Sequence, residues 1–556
     1  MMRRVLRWLC VPGLLVGPIA TSAAQGHPHE IPGAGTAARA PLFDLGTWHH
    51  VVATGSAEAQ RYFDQGLLLA YGFNHAQAIA AFRQAAALDP ECIMAYWGIA
   101  LAYGPNINFP MDSTAEQPAW EALQKALALA PKANDAERAY VEALAKRYAD
   151  PRDPKRPSRA SMDSAYADAM RAMWRGHPDD ADAGTLFAEA LMDLNPWNFW
   201  TLDGKANPGT EEMVATLEAV LKRTPDHPGA NHFYIHAVEA SRTPGRATAS
   251  AERLGRLAPE AGHLVHMPGH IWIRVGRYAD AESVNVVAAR IDSQYIAAHD
   301  PQGIYPMMYY PHNVHFIWSS ACLEGRSAAA VEAARRLGPM VPVEMLRQMP
   351  MLEFVSPTVL YTLVRFGHWN EILAEPEPPM DLRFTRGMWH FARGLALAAT
   401  GQIAQAKTAR DSVAAIAAAT PADALVSFNS SAALLRLAQH ELAGEMAARA
   451  GTVDLAVNEF RQAIREEDAL RYDEPPAWFL PVRQLLGAAL LSAGRVRAAE
   501  AAYREDLVRF PENGWSLYGL AKCLRARKAV REAALVEARF RKAWARSDVT
   551  LTASRF

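Results

Sequence analysis

The sequence predicts an all-α protein built from stacked helix pairs, and three observations carry that prediction. Apolar stretches recur with helical spacing and close on proline, as at Pro90, Pro131, Pro225 and Pro511, where the missing N–H ends the helical hydrogen-bond ladder. Two histidine pairs, His232 with His236 and His266 with His270, share an i,i+4 spacing and lie 34 positions apart, a period typical of helix–turn–helix repeats. No stretch carries the alternating β-branched pattern of a sheet.

The N-terminus reads as an export signal. Arg3, Arg4 and Arg7 precede an apolar run from Leu9 to Ala20, and Ser22-Ala23-Ala24 is a small-residue cleavage site. Residues 1–24 are therefore expected to be removed, leaving an exported chain, periplasmic or secreted, that starts near Gln25. The run is too short to span a bilayer, and no later segment is long and apolar enough, so no membrane span is expected in the mature chain. Residues 25–58 read as a flexible leader containing His27 and His29, with His49-His50 placed on the surface or in a linker. Cleavage removes Cys10, and Cys92, Cys322 and Cys523 are too scattered for a disulfide framework or metal knuckle, so buried structural thiols are expected. A net charge of −2 on 556 residues gives no electrostatic argument for nucleic acid or an anionic membrane as partner.

From Gln60 the helical pattern repeats. Tyr62, Gly66 and Leu69, followed by Ala78, Phe82, Ala85 and Pro90, alternate large and small residues. The small ones let two helices approach and the large ones fill the space between successive pairs. With this spelling the stretch resembles the tetratricopeptide-repeat (TPR) superfamily, in an exported, bacterial-type form. The resemblance is strongest over Gln60–Pro131, Ala261–Gln294 and Leu485–Pro511, and covers about four fifths of the chain at the level of helix-pair periodicity. It divides the chain into residues 59–340, which carry a histidine-rich groove, and residues 341–556, which end in a polar capping helix over Ala529–Arg546. Loop insertions interrupt the repeats at Gly104–Pro110, Asp150–Pro157 and Asn195–Trp200, and before Pro311. The resemblance implies a right-handed α-solenoid whose concave face, lined by the first helix of each pair, binds peptides or proteins.

Seven of the chain's 18 histidines, His232, His236, His263, His266, His270, His312 and His315, fall on the presumed first helices of three successive units. Side by side in a stack, these helices would set His232 against His266 and His236 against His270, all facing the groove. Imidazoles are the commonest metal ligands, and two from one helix with one or two from the next can complete a nitrogen-rich site. Zinc or copper suits such a site better than magnesium or calcium. Met267 is a possible soft ligand, and Glu239 a partner for a ring N–H. A metal-free polar pocket and plain packing histidines stand as alternatives. Pro268-Gly269 is expected to kink the helix and threatens the position of His270.

Aromatic-polar loops carrying Asn106, Trp197 and Trp200 are expected to rim the groove with Tyr305, Tyr309 and Tyr310, where they could stack on a ligand. Asp473-Glu474 before Pro475-Pro476 reads as an acidic helix cap. No nucleotide-binding loop, nucleophile elbow or H-E-x-x-H motif is present. The expected function is an exported binding scaffold for a protein, peptide or small ligand with a histidine-held transition metal. The alternative is a zinc- or copper-dependent hydrolase or oxidase on the same solenoid.

Overall fold

A computed structural model describes residues 41–301 and 305–556. The expected export signal, with His27 and His29, lies outside the described residues. Residues Leu42–Phe556 form one compact unit, and position 340 falls inside it.

The described chain is a succession of antiparallel helix pairs. Ala57–Tyr71 packs on His75–Leu88, Ile93–Ala102 on Glu116–Leu129, and Ala181–Leu194 on Thr210–Arg223; the order continues to Gly514–Ala526 on Val530–Ala543. Polar side chains start many of these helices: Ser56, Asn134, Ser158, Asp180 and Asn513 each accept a hydrogen bond from a backbone N–H of the first turn. Among the described residues no helix is long and apolar enough to cross a membrane.

Small residues set the approach distances. A methyl group at Gly66 would lie 2.7 Å from the Phe82 ring, and one at Gly98 2.5 Å from the same ring. The fully buried Phe82 is thus gripped between the first helices of two consecutive pairs. Near the other end, Gly487 and Gly519 hold Tyr503 in the same way, at 2.6 and 2.1 Å. Such contacts leave no room for an added carbon without shifting a ring in a close-packed core.

Three expectations need correction. Residues 42–56 are not a flexible leader: Leu45 and Val52 are buried, the Phe43 N–H donates to Gln65, and His50 Nδ1 meets Asp182 at 2.8 Å. The segment covers apolar surface that the first pair would otherwise expose. A two-residue hairpin, Leu425–Val426 with Asn429–Ser430, departs from the all-helical expectation, and the following helix starts at Ser431. Asp473-Glu474 caps nothing: residues 470–481 are irregular and the next helix begins at Val482, because Pro475 and Pro476 keep the preceding backbone extended.

The stack also curls back on itself. Tyr278 donates to the Pro511 carbonyl at 2.7 Å and Trp515 to the Cys322 carbonyl at 3.0 Å, while Arg546 pairs with Glu282 and Glu324. The open concave groove expected from the repeats is therefore walled in by the later ones. Cys92, Cys322 and Cys523 are free and buried.

Candidate metal centre

The helix Pro228–Glu239 is buried along its whole length. His227 caps it by accepting from the Ala230 N–H at 3.1 Å, and Pro228 occupies its first turn, where no N–H is needed. His232 and His236 point from one face of it. The next unit begins with two short helices, Gly262–His266 and Pro268–Arg274, joined through Met267 in helical conformation. The expected kink therefore does not carry His270 away: its Nε2 lies 2.8 Å from His266 Nε2. Met267 is fully buried and is absent from the cavity wall.

The register differs from expectation by about one helical turn. His232 meets His263, not His266, with the two Nε2 atoms 3.2 Å apart. His266 instead packs on His312, ring centres 4.8 Å apart. His236 does neighbour His270, at 5.7 Å. A constant 34-residue spacing counts residues per unit and says nothing of the axial shift between neighbouring helices. The outcome is two trios, His232/His236/His263 and His266/His270/His312, each able to offer three ring nitrogens within 4.8 Å of one another. They touch through His236–His270 and through His263–His266, ring centres 5.8 Å apart.

Hydrogen bonds on the far side of the rings fix several tautomers. His232 Nδ1 donates to the Tyr71 carbonyl at 2.6 Å. His236 Nδ1 donates to Glu239 Oε1 at 2.8 Å. Asn285 Nδ2 donates to the Ala281 carbonyl, so its Oδ1 accepts from His266 Nδ1 at 2.6 Å. His270 Nδ1 lies 2.5 Å from Glu239 Oε2 and 3.0 Å from Glu474 Oε2, an ion-pair contact that neither oxygen aligns into a good hydrogen bond. A bare lone pair could not face two carboxylates there, so this nitrogen carries a proton. The Nε2 atoms of His232, His236, His266 and His270 are thereby left as the inward-facing donors, the arrangement metal-ligating imidazoles show.

Burial pushes the pKa of His232, His263, His266 and His312 well below the usual imidazole value, with neighbouring imidazoles adding to the effect. Burial also lowers His236 and takes His315 down to about 3. His270 goes the other way: burial opposes its charge, but Glu239 and Glu474 outweigh it and raise it to about 10. Glu239, although buried, is held at about 2 by His270 and His236.

A cavity of about 160 Å³ (measured to the centre of a water-sized sphere) opens against both trios. His236, His263, His270 and His312 stand in its wall. Elsewhere that wall is mainly apolar, with Met308, Phe354, Tyr361, Phe384, Phe428 and Phe479. His315 lines it as well but belongs to neither trio; its ring stacks on Trp318 with centres 5.1 Å apart.

Of the aromatic-loop residues, Trp197 and Tyr309 line the cavity, whereas Asn106, Trp200 and Tyr310 do not. Asn106 folds its own loop, accepting from the Asn108 and Phe109 N–H groups. Trp200 donates to the Ala237 carbonyl at 2.7 Å, and Tyr310 accepts from Arg336 at 2.8 Å. Asn108 takes the place expected of Asn106, donating to the Tyr309 hydroxyl at 3.0 Å on the cavity wall.

Sequence reasoning missed Glu474, Tyr472 and Asn285. The first two arrive from a loop more than 200 positions from His270, a distance no local pattern spans. Asn285 left no clear signal either: it lies between Val284 and Val286 on a helix with an exposed face, where Val286 itself is exposed. A further cluster, His50 with Asp180 and Asp182, is already knitted together by Tyr71, Tyr140 and His227.

No protein-family model matches the chain, and no curated protein does. Among solved structures it is similar to the human IFIT1 dimer with m7Gppp-AAAA, at 11% identity over 81% of this chain and 90% of that one, TM-score 0.32. It is also similar to yeast Tom70, at 10% identity over 88% and 90%, TM-score 0.28. A third is the APC/C hetero-tetramer Cut9–Hcn1, at 12% identity over 89% and 95%, TM-score 0.27. Superpositions this loose carry no argument about activity or ligand. The successive helix pairs and their glycine–aromatic contacts make the described residues an all-α, helix-pair solenoid.

Proposed function

We propose that this protein is a metalloprotein that holds a transition metal on its buried imidazoles and takes a small, largely apolar molecule in the adjoining cavity. One observation carries the reading. His266 and His270 have both Nδ1 atoms committed as donors, and their Nε2 atoms face each other across 2.8 Å. Two lone pairs at that distance repel unless a proton or a metal lies between them. Two nitrogens bound at right angles to one metal at ~2.0–2.1 Å stand about 2.9 Å apart, which matches the spacing, and His312 adds a third donor. The nitrogen-rich set suits zinc or copper. The enclosed, mainly apolar wall suits a small molecule better than an extended peptide.

A second reading, metal-dependent hydrolysis or oxidation, is favoured by the two carboxylates behind His270, one of which, Glu474, reaches the cavity wall. Its carboxyl lies above the usual range because burial opposes its charge. Such a group can exchange a proton with a molecule in the cavity.

Elemental analysis of the purified full chain, prepared without chelators or affinity tags, tests the proposal. A stoichiometric transition metal that disappears in His266→Ala is expected. Metal at background in the unmodified chain would overturn it, leaving a proton on His270 Nε2 as the bridge. The N-terminal segment motivates a proposal of export, checked by an exported product whose mass starts near Gln25; a full-length product retained inside the cell would contradict it.

A further inference from the structure

We infer that the histidines form two metal positions, not one, joined from behind by the single carboxylate of Glu239; this rests on the metal reading above. The second position is the deeper trio. His232 Nε2 lies 3.2 Å from His263 Nε2, and two nitrogens bound tetrahedrally to one metal at ~2.0–2.1 Å stand about 3.3–3.4 Å apart. A proton on His263 Nε2 would satisfy His232 alone. It would leave His236 Nε2 without any hydrogen-bond partner among the described residues, on a side chain 2% exposed. A bare buried ring nitrogen of this kind is unfavourable. One cation engages His232, His236 and His263 together.

The two positions have separate close pairs, His232–His263 and His266–His270, so one ion cannot serve both. They share Glu239, whose Oε1 receives His236 Nδ1–H and whose Oε2 faces His270 Nδ1. Each trio also shows two rings to the same cavity, His236 and His263 from one and His270 and His312 from the other. One small molecule in the cavity would therefore meet both metals, the arrangement by which paired ions clamp a single reacting group.

The test is titration of the metal-stripped full chain with cobalt(II), read by visible absorbance and by calorimetry. Two equivalents are expected. His263→Ala and His312→Ala should each keep one, with far-UV circular dichroism showing intact folds. Glu239→Gln should weaken both binding steps 10- to 100-fold, the range for residues that orient metal ligands. One equivalent in the unmodified chain would overturn the second position and leave the metal reading standing. None would overturn both. Weakening of a single step by Glu239→Gln would overturn the shared carboxylate.

Discussion

The terminal repeats and the three histidine-bearing central ones use the same helix-pair frame for opposite ends. Where Gly66 and Gly98 close on Phe82, or Gly487 and Gly519 on Tyr503, the space between pairs is filled by ring carbon, and buried polar groups nearby bond one another, as Gln484 does with Asp506 and Asn513. In the central repeats the corresponding interior holds six imidazoles and two carboxylates, and His236 Nε2 and His263 Nδ1 have no hydrogen-bond partner among the described residues. A frame optimised only for stability would fill that volume with apolar side chains. Six imidazoles gathered in one interior, where apolar packing would serve stability better, point to function there. The terminal repeats should thus answer to packing, and the central ones to metal.

The largest effect expected from this contrast is that of metal removal. A ligand bound at a thousand times its dissociation constant stabilises the folded state by about 4 kcal/mol. Stripping the metal should lower the unfolding midpoint of the full chain, with enhanced hydrogen exchange concentrated in Pro228–Glu239 and Gly262–Arg274. Exchange enhanced equally over Ala57–Leu88 would erase the distinction.

Gly98→Ala should cost about 1–3 kcal/mol by forcing a carbon into the Phe82 ring, while metal content stays unchanged. Denaturant unfolding with elemental analysis on the same samples checks both halves of that statement. Glu474→Gln comes next: it should weaken metal binding at the His266/His270/His312 trio about 10- to 100-fold and leave packing of the terminal repeats untouched.

A last effect, visible only as a function of pH, belongs to a buried acid remote from the histidines. Burial raises the Glu467 carboxyl to about 7, against the pull of Arg509 and Arg483. The folded state therefore binds this proton more tightly than the unfolded chain, whose carboxyl titrates near 4.5. Its contribution is fully favourable below about 4.5 and is lost as pH rises towards 7. Glu467→Gln should flatten that decline by up to about 3 kcal/mol, measured as stability against pH. An unchanged slope would contradict the assignment.

Much of the frame was legible because it is local. Proline stops, capping side chains and the Gly–aromatic alternation each act within a few residues, so helix pairs could be read from Gln60 onward. The histidines were legible as a group for the same reason. Their pairing was legible only for His236 with His270, since the shift that sets His232 against His263 depends on how neighbouring helices slide, and no spacing encodes that. Glu474 was misread because its meaning comes from a distant partner. In sequence it is an acid before two prolines; in the fold, the later repeats bring it to His270. Residues 42–56 were misread because glycines, prolines and alanines in the preceding stretch dominate the composition, while Leu45 and Val52 do the packing.

The central claim is that imidazole nitrogen holds the metal. X-ray absorption at the metal edge of the full chain as isolated tests it most directly. The account predicts a first shell of nitrogen at about 2.0–2.1 Å with the outer-shell scattering of several imidazole rings, lost in His266→Ala combined with His263→Ala. A shell of sulfur, or of oxygen without imidazole scattering, would contradict it.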